Sequence, residues 1–459
     1  MKKIIGIITG VVALLASIIT IICLKIAFPF KPSFYSYSSY FDEKTVEDIN
    51  KKYSYKEYGD VNSFEFALEN NKIIGGITSD YAIITLINEG KVSPLRKKME
   101  QIMERIKPNC FLNNTWEEYF TPEAVEQMNS FNSYLDQELL QNMYGNEYGE
   151  NYIFSFSDFV IPYFINDKLL AYDTSKVFNE INMPKDPFNF TQAPTLVQAL
   201  NALRGKLNDI QIQWTKNERE NIALGSSINN PENNWDTTIT SQNYLELINN
   251  FANMIFEGTG ASISNIKRNL FDSDSDIILN NLINPTSKID AAFIYNGDAL
   301  DAYYGHDNFS AITDGDRLRI IRTKYTVRIL DCFVISSSID DNEQKKLLEY
   351  FNDIIFKDIF VTEEELNKSN PETIYQDNVI LRIFDYVNYT PTAKSAYDYI
   401  YKNYFYDEET QTYDEIARSI FQVSSTNEQL GIYVKNLSPI DKETLSKLTL
   451  AFQKKLNGY

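Results

Sequence analysis

Between Ser33 and Gly90 the chain changes hydrophobic period again and again. Ser33 to Tyr37 is aromatic and strand-like. Asp42 to Lys52 follows a helical period, with Asp42 placed to cap its N-terminus. Tyr53, Tyr55 and Tyr58 open a second strand, and Val61 to Asn70 a second helix. Lys72 to Ile77 reads as a third strand, ending at Gly75-Gly76 and Thr78-Ser79, before a helix from Asp80 to Asn88 closed by Gly90. Strand–helix–strand at this spacing specifies βαβ units and a parallel sheet. Ligands of such sheets gather at the carboxyl ends of strands, which puts Tyr37 to Tyr40 and Ser79 to Tyr81 near any site.

The alternation then breaks. Lys97 to Lys107 is an amphipathic charged helix and Tyr134 to Tyr148 is polar and acidic, so residues 92–150 read as a helical excursion on the first lobe. A second α/β stretch starts at Val160-Ile161-Pro162-Tyr163 and runs to about Ser336. The tail from Asp341 is helical with few strands. A chain of 459 residues suits two lobes. The expected division is a membrane anchor or signal segment at 1–30, a first lobe at 31–165 and a second at 166–330. Residues 331–459 would return to complete both.

Met1-Lys2-Lys3 precedes an uncharged apolar run from Ile4 to Leu24. At about 1.5 Å per helical residue the run spans roughly 30 Å, the thickness of a bilayer core. Positive charge before it places the rest of the chain outside the cytoplasm. The run fits a cleaved signal peptide, an uncleaved anchor, or a lipoprotein signal acylated at Cys23. Ile21 and Ile22 before Cys23 are larger than signal peptidases prefer, which favours the uncleaved anchor.

The chain has 43 basic and 63 acidic residues, a formal charge of −20. That balance argues against a nucleic-acid partner and suits cationic ligands. Three cysteines, Cys23, Cys110 and Cys332, exclude a disulfide framework and a thiolate metal cluster. A single histidine, His306, excludes two-histidine metal sites. Asp272, Asp274 and Asp276 resemble a calcium loop, but Ile277 and Ile283 stand where its glycine and glutamate belong, so a turn or helix start is expected. Tyr303-Tyr304 sits in a helix-like run, where at least one ring should pack. No glycine-rich phosphate cradle, GxSxG elbow or HExxH motif occurs.

Five short segments carry the functional signal: Phe34-Tyr-Ser-Tyr-Ser-Ser-Tyr40, Ile77-Thr-Ser-Asp-Tyr81, Trp214-Thr-Lys-Asn-Glu-Arg-Glu220, Ile294-Tyr-Asn-Gly-Asp298 and Ile329-Leu-Asp331, with Asn388-Tyr-Thr-Pro391 beyond. Their ordered set resembles the spermidine/putrescine-binding proteins of ABC importers, the PotD-like family, in a divergent form of the kind found in wall-less bacteria. The resemblance implies a two-lobed α/β fold, the class II periplasmic-binding architecture, with crossing hinge strands and a ligand clamped between the lobes. It also implies a non-enzymatic protein with no cofactor or metal. Its partners would be a polyamine and the permease subunits, and it would be a monomer when free, tethered to the outer face of the cell membrane.

Carried over one at a time, the family positions fall on Tyr37 and Tyr40 after the first strand, and on Ser79 and Tyr81 after the third. Glu220 matches an acid that binds an ammonium group, and Tyr295 replaces a second-lobe tryptophan. Asp298 sits where some putrescine-binding relatives carry an acid. Asp331 matches the aspartate that grips a terminal ammonium, and Tyr389 a first-lobe tyrosine. Asn217 stands where an aspartate is common, and Ile329 where a stacking tryptophan is. Asp298 and Asp80 are the candidate replacements for the missing acid. Apart from the resemblance, Asp331 stands out as a lone acid in the apolar strand Val327 to Ile335, and Asp298 reads as an N-cap. The chemistry is consistent: a buried ammonium needs a carboxylate and gains from aromatic faces, while methylenes need flat apolar walls. The alternatives are another cationic or metal ligand on the same fold, or an adhesin with a degenerate pocket.

Overall fold

The structure, a computed structural model, describes residue 18 and residues 30–459 other than 113, 208, 230, 307 and 308. Apart from Ile18, the run Ile4 to Leu24, with Cys23, lies outside the described residues. Among those residues no helix is long and apolar enough to cross a membrane.

The first elements are β1 (Ser33–Tyr37), α1 (Glu43–Lys52), β2 (Ser54–Tyr58), α2 (Val61–Glu69), β3 (Gly75–Ser79) and α3 (Asp80–Asn88). Asp42 caps α1 through Thr45 N at 3.1 Å. Strand β1 lies between β2 and β3, parallel to both. The third strand starts at Gly75, later than its apolar run predicts, and the glycine pair lies inside it. A Cβ on Gly76 would stand 2.2 Å from the Tyr35 carbonyl oxygen, so only glycine lets the two backbones approach. Three helices follow, α4 (Arg96–Ile106), α5 (Pro122–Ser130) and α6 (Gln137–Tyr148).

The long strand β4 (Ile161–Asp173) then opens the second half. That half contains α7 (Leu196–Arg204), β5 (Ile212–Thr215), α8 (Glu218–Gly225), α9 (Tyr244–Thr259), β6 (Asn269–Asp272), α10 (Ser275–Ile283), β7 (Ala291–Tyr295), α11 (Asn296–Tyr303) and β8 (Leu318–Ile321). A second long strand, β9 (Tyr325–Ile335), leads back. The sheet order is β2-β1-β3-β9-β4-β7-β5-β6. Strand β4 pairs with β9 from Ile161 to Asp167, then with β7 from Lys168 to Tyr172. The β9 stretch Asp331–Ile335 pairs with β3. Both long strands are buried along their whole length.

Two apolar cores flank this crossing. One gathers Phe34, Ile77, Phe164, Phe333 and Phe351, the other Leu170, Trp214, Phe251, Phe293 and Val327. The tail serves both: α12 (Val379–Val387) packs into the first, and α13 (Lys442–Leu456) brings Leu448 and Phe452 into the second.

Candidate functional site

Strand β1 delivers Tyr37 to its carboxyl end. The Tyr37 hydroxyl and Ser79 Oγ lie 2.6 Å apart, and the ring packs on Tyr58 and Tyr40. A turn with Ser39 at φ 55° returns the chain to the interior at Tyr40, which is buried. Its hydroxyl donates to Asp331 Oδ2 at 3.2 Å. Antiparallel register sets Ser79 of β3 opposite Asp331 of β9, and Ser79 Oγ donates to Asp331 Oδ1 at 3.5 Å. Burial pushes the Asp331 carboxyl up to about 8; the Asp80 and Glu220 charges add to this, while the two hydroxyls pull it partly back.

The second half contributes Glu220, in the first turn of α8. Asn217 caps that helix by accepting from Glu220 N at 3.2 Å and holds the carboxylate with Nδ2 at 2.6 Å. The Tyr295 hydroxyl donates to both Glu220 oxygens, at 2.6 and 2.7 Å. The Lys168 ammonium forms a buried ion pair with Oε2 at 2.6 Å and also bonds Thr215 Oγ1. It stands 5.3 Å from the Tyr295 ring centre and 5.9 Å from that of Phe293. Register explains the pairing, because Lys168 of β4 lies opposite Tyr295 of β7.

Asp298 follows β7. It is the third residue of α11, not its cap; Tyr295 holds the cap position. The Asn296 side chain is used elsewhere, accepting from Asp167 N and donating to Thr390 Oγ1. The Tyr389 hydroxyl donates to Asp298 Oδ1 at 2.9 Å, and Oδ2 is buried without a hydrogen-bond partner. Burial lifts this carboxyl to about 7. Tyr389 reaches it because Asn388, at φ 57°, ends α12. Gly297 leaves room for the ring: a Cβ there would meet Tyr389 Cδ1 at 2.1 Å. The rings of Tyr40 and Tyr389 meet edge to face at 6.1 Å, so the Asp331 and Asp298 arrangements adjoin. Among the described residues no lysine or arginine pairs with either acid.

The structure thus gathers Tyr37, Tyr40, Ser79, Glu220, Tyr295, Asp298, Asp331 and Tyr389 around the crossing strands. Tyr81 joins them through Asn217 Nδ2, 3.3 Å from its hydroxyl, and lies under the Arg219 guanidinium at 4.2 Å. Asp80 points elsewhere: its oxygens accept from Tyr81 N, Gln127 Nε2 and Leu330 N. Ile329 is buried in the second core. Outside the site, Asp274 caps α10, and the buried Tyr303 ring packs edge to face on Tyr304, as expected, while its hydroxyl donates to Asp414. Among the described residues no group of three or more His, Cys, Asp or Glu side chains is placed to hold a metal ion.

Lys168 went unread in the sequence because Asn166-Asp167-Lys168 has the composition of a turn. The signal that singled out Asp331, a lone acid in an apolar strand, is absent there, because Asp167 precedes Lys168; only the apolar Leu169-Leu170-Ala171 that follows hints at burial.

Residues 1–436 match the model of a family described as hypothetical lipoproteins, the MG045 family. The chain belongs to that family. No curated protein sequence matches it. Among solved structures, PotD of Streptococcus pneumoniae, the substrate-binding protein of a spermidine/putrescine ABC transporter, aligns over 93% of this chain and 98% of its own, with TM-score 0.53 and 14% identity. A Listeria monocytogenes protein described as a spermidine/putrescine ABC transporter gives the same coverage and TM-score at 15% identity. The GacH receptor of Streptomyces glaucescens, solved with acarbose, reaches 0.50 at 10% identity, covering 93% of both chains. At such identities the likeness is one of fold. This MG045-family chain has the two-lobed class II periplasmic-binding architecture, with β4 and β9 as its crossing strands.

Proposed function

We propose that this protein is the extracytoplasmic, membrane-tethered binding subunit of an ABC importer, and that its ligand is a polyamine clamped between the lobes. The lobes are residues 31–165 and 166–330, each completed by segments of 331–459. One observation carries the reading. Asp331 and Asp298 are buried carboxylates with tyrosine hydroxyls turned onto them, and among the described residues neither forms an ion pair; the Lys168 ammonium, bound to Glu220, acts on Asp298 only through its field. An unpaired buried carboxylate is costly, and both groups hold their protons unusually high as a result. An ammonium group supplies the missing charge, and the rings of Tyr37, Tyr40 and Tyr389 supply the apolar and cation-attracting walls a methylene chain needs. Asp80 acts from behind, through its charge on Asp331. No bond is made or broken. The ligand drives lobe closure to the extent that it binds the closed state better.

The test is calorimetric titration of the purified full chain with putrescine, spermidine and spermine, repeated on Asp331→Ala. Saturable binding at micromolar concentration or below, lost in the variant, is expected. Folded protein, freed of carried-over ligand, that gives no heat with any of the three refutes the polyamine reading.

A further inference from the structure

Three acids face the junction of the halves, but one of them is already answered from within the chain. Lys168 is fully buried, its ammonium 2.6 Å from Glu220 Oε2. Thr215 Oγ1 and Asn221 Oδ1 accept from the same nitrogen, the latter at 3.5 Å. Tyr295 closes the arrangement, with its hydroxyl on Glu220 and its ring 5.3 Å from the lysine nitrogen. A carboxylate, two neutral acceptors and an aromatic face are what a buried alkylammonium requires, and here the alkyl chain is the protein's own. The carboxyl oxygens of Asp298 and Asp331 have no such occupant: their hydrogen-bond partners are hydroxyls alone, and Asp298 Oδ2 has none.

We infer that Lys168 is a resident ammonium that occupies the Glu220 subsite, so that the ligand brings its cationic groups only to Asp331 and Asp298 and is an alkyl diamine, not a triamine. The inference rests on the polyamine reading above and narrows it. Charge counting gives the same answer. Of Glu220, Asp298 and Asp331, Lys168 neutralises one and a diamine the other two. A triamine would bring its third ammonium against a buried lysine, and like charges brought together in a desolvated site oppose binding. Asp80 does not alter the count, because its carboxylate is turned away from the site onto Tyr81 N, Gln127 Nε2 and Leu330 N and lies in the field of Arg328. Arg219 stays out of it too, stacked on Tyr81 and donating to the Ser438 carbonyl.

The test compares putrescine, cadaverine and spermidine by calorimetry on the full chain and on Lys168→Met, an unbranched side chain one atom shorter that fills most of the same space and carries no charge. The natural protein should bind the better diamine at least tenfold more tightly than spermidine. Lys168→Met should improve spermidine relative to that diamine by at least tenfold, since Glu220 is then free for a third ammonium. A natural protein that binds spermidine as tightly as either diamine overturns the inference, and this ranking decides the matter even if the variant does not fold. A folded Lys168→Met whose ranking stays within twofold of the natural protein's also overturns it. Both outcomes leave amine binding intact, whereas absence of heat with every amine brings down the polyamine reading and this inference with it.

Discussion

Asp331→Asn should separate the binding role of this residue from its burden on the fold. The Asp331 carboxyl is held at about 8 in the native protein, while an unfolded aspartate titrates near 3.9. The native state therefore keeps its proton longer than the unfolded one, and stability falls as pH rises from about 4 to about 8, then levels off. From those two values the linkage loss between pH 5 and pH 8 is about 3–4 kcal/mol. An asparagine of the same shape carries no such dependence. At pH 5, where the native carboxyl is neutral, variant and natural protein should be within about 1 kcal/mol of each other. At pH 8 the variant should be the more stable by about 3–4 kcal/mol, which for a chain of this size is a rise in Tm of roughly 3–4 °C. Denaturation at pH 5, 6, 7 and 8 on both proteins reads this directly, and a parallel titration with putrescine should show binding lost in the variant. A stability difference that does not change between pH 5 and pH 8 refutes the reasoning, because Asp331 would then titrate like an exposed aspartate.

Three further outcomes follow from the same geometry. Binding of a diamine must draw both carboxyls into their charged forms, so from starting values of about 8 and 7 the affinity should rise about 50-fold from pH 6 to 7 and about tenfold from pH 7 to 8; a flat calorimetric profile contradicts it. Gly297→Ala should displace the Tyr389 ring from Asp298, weaken diamine binding by at least tenfold and lower stability by about 1–3 kcal/mol, measured by titration and urea denaturation. Ile329→Trp should overfill the second core, destabilising by about 1–3 kcal/mol with no gain in affinity; tighter binding would show that position 329 faces the ligand.

The first half of the sheet was legible because each of its elements obeys a single period. Asp42 does cap α1, and Tyr37 and Ser79 do meet at the carboxyl ends of adjoining strands. The misplaced start of β3 has a local cause: glycines usually end a strand, and these stay within one because neighbouring backbones crowd them. Asp331 was found by the expense of a charge in an apolar strand. The same argument failed at Asp167 and Lys168 because three polar residues in a row imitate a turn. Their satisfaction is remote in sequence: Arg322 and the Ser424 amide reach Asp167 Oδ2 at 2.5 and 2.8 Å, and Glu220 reaches Lys168. No local pattern encodes such partners. Asp298 looked like a cap for a similar reason, since nothing nearby in sequence shows that Asn296 is engaged by β4 and Thr390.

The register between β3 and β9 has a kinetic consequence. Ser79 and Asp331 face each other across a hydrogen-bonded ladder, and Tyr40 reaches them from the turn after β1. Under the proposed closure these three groups would keep their mutual placement, because none of them is supplied by the second half. Asp298 comes from the second half and Tyr389 from the tail beyond α12, so under the proposed closure this contact depends on how the halves are disposed. Arrival and retention are then governed by different residues: changes at Ser79 or Tyr40 should alter the association rate constant, and changes at Asp298 or Gly297 the residence time.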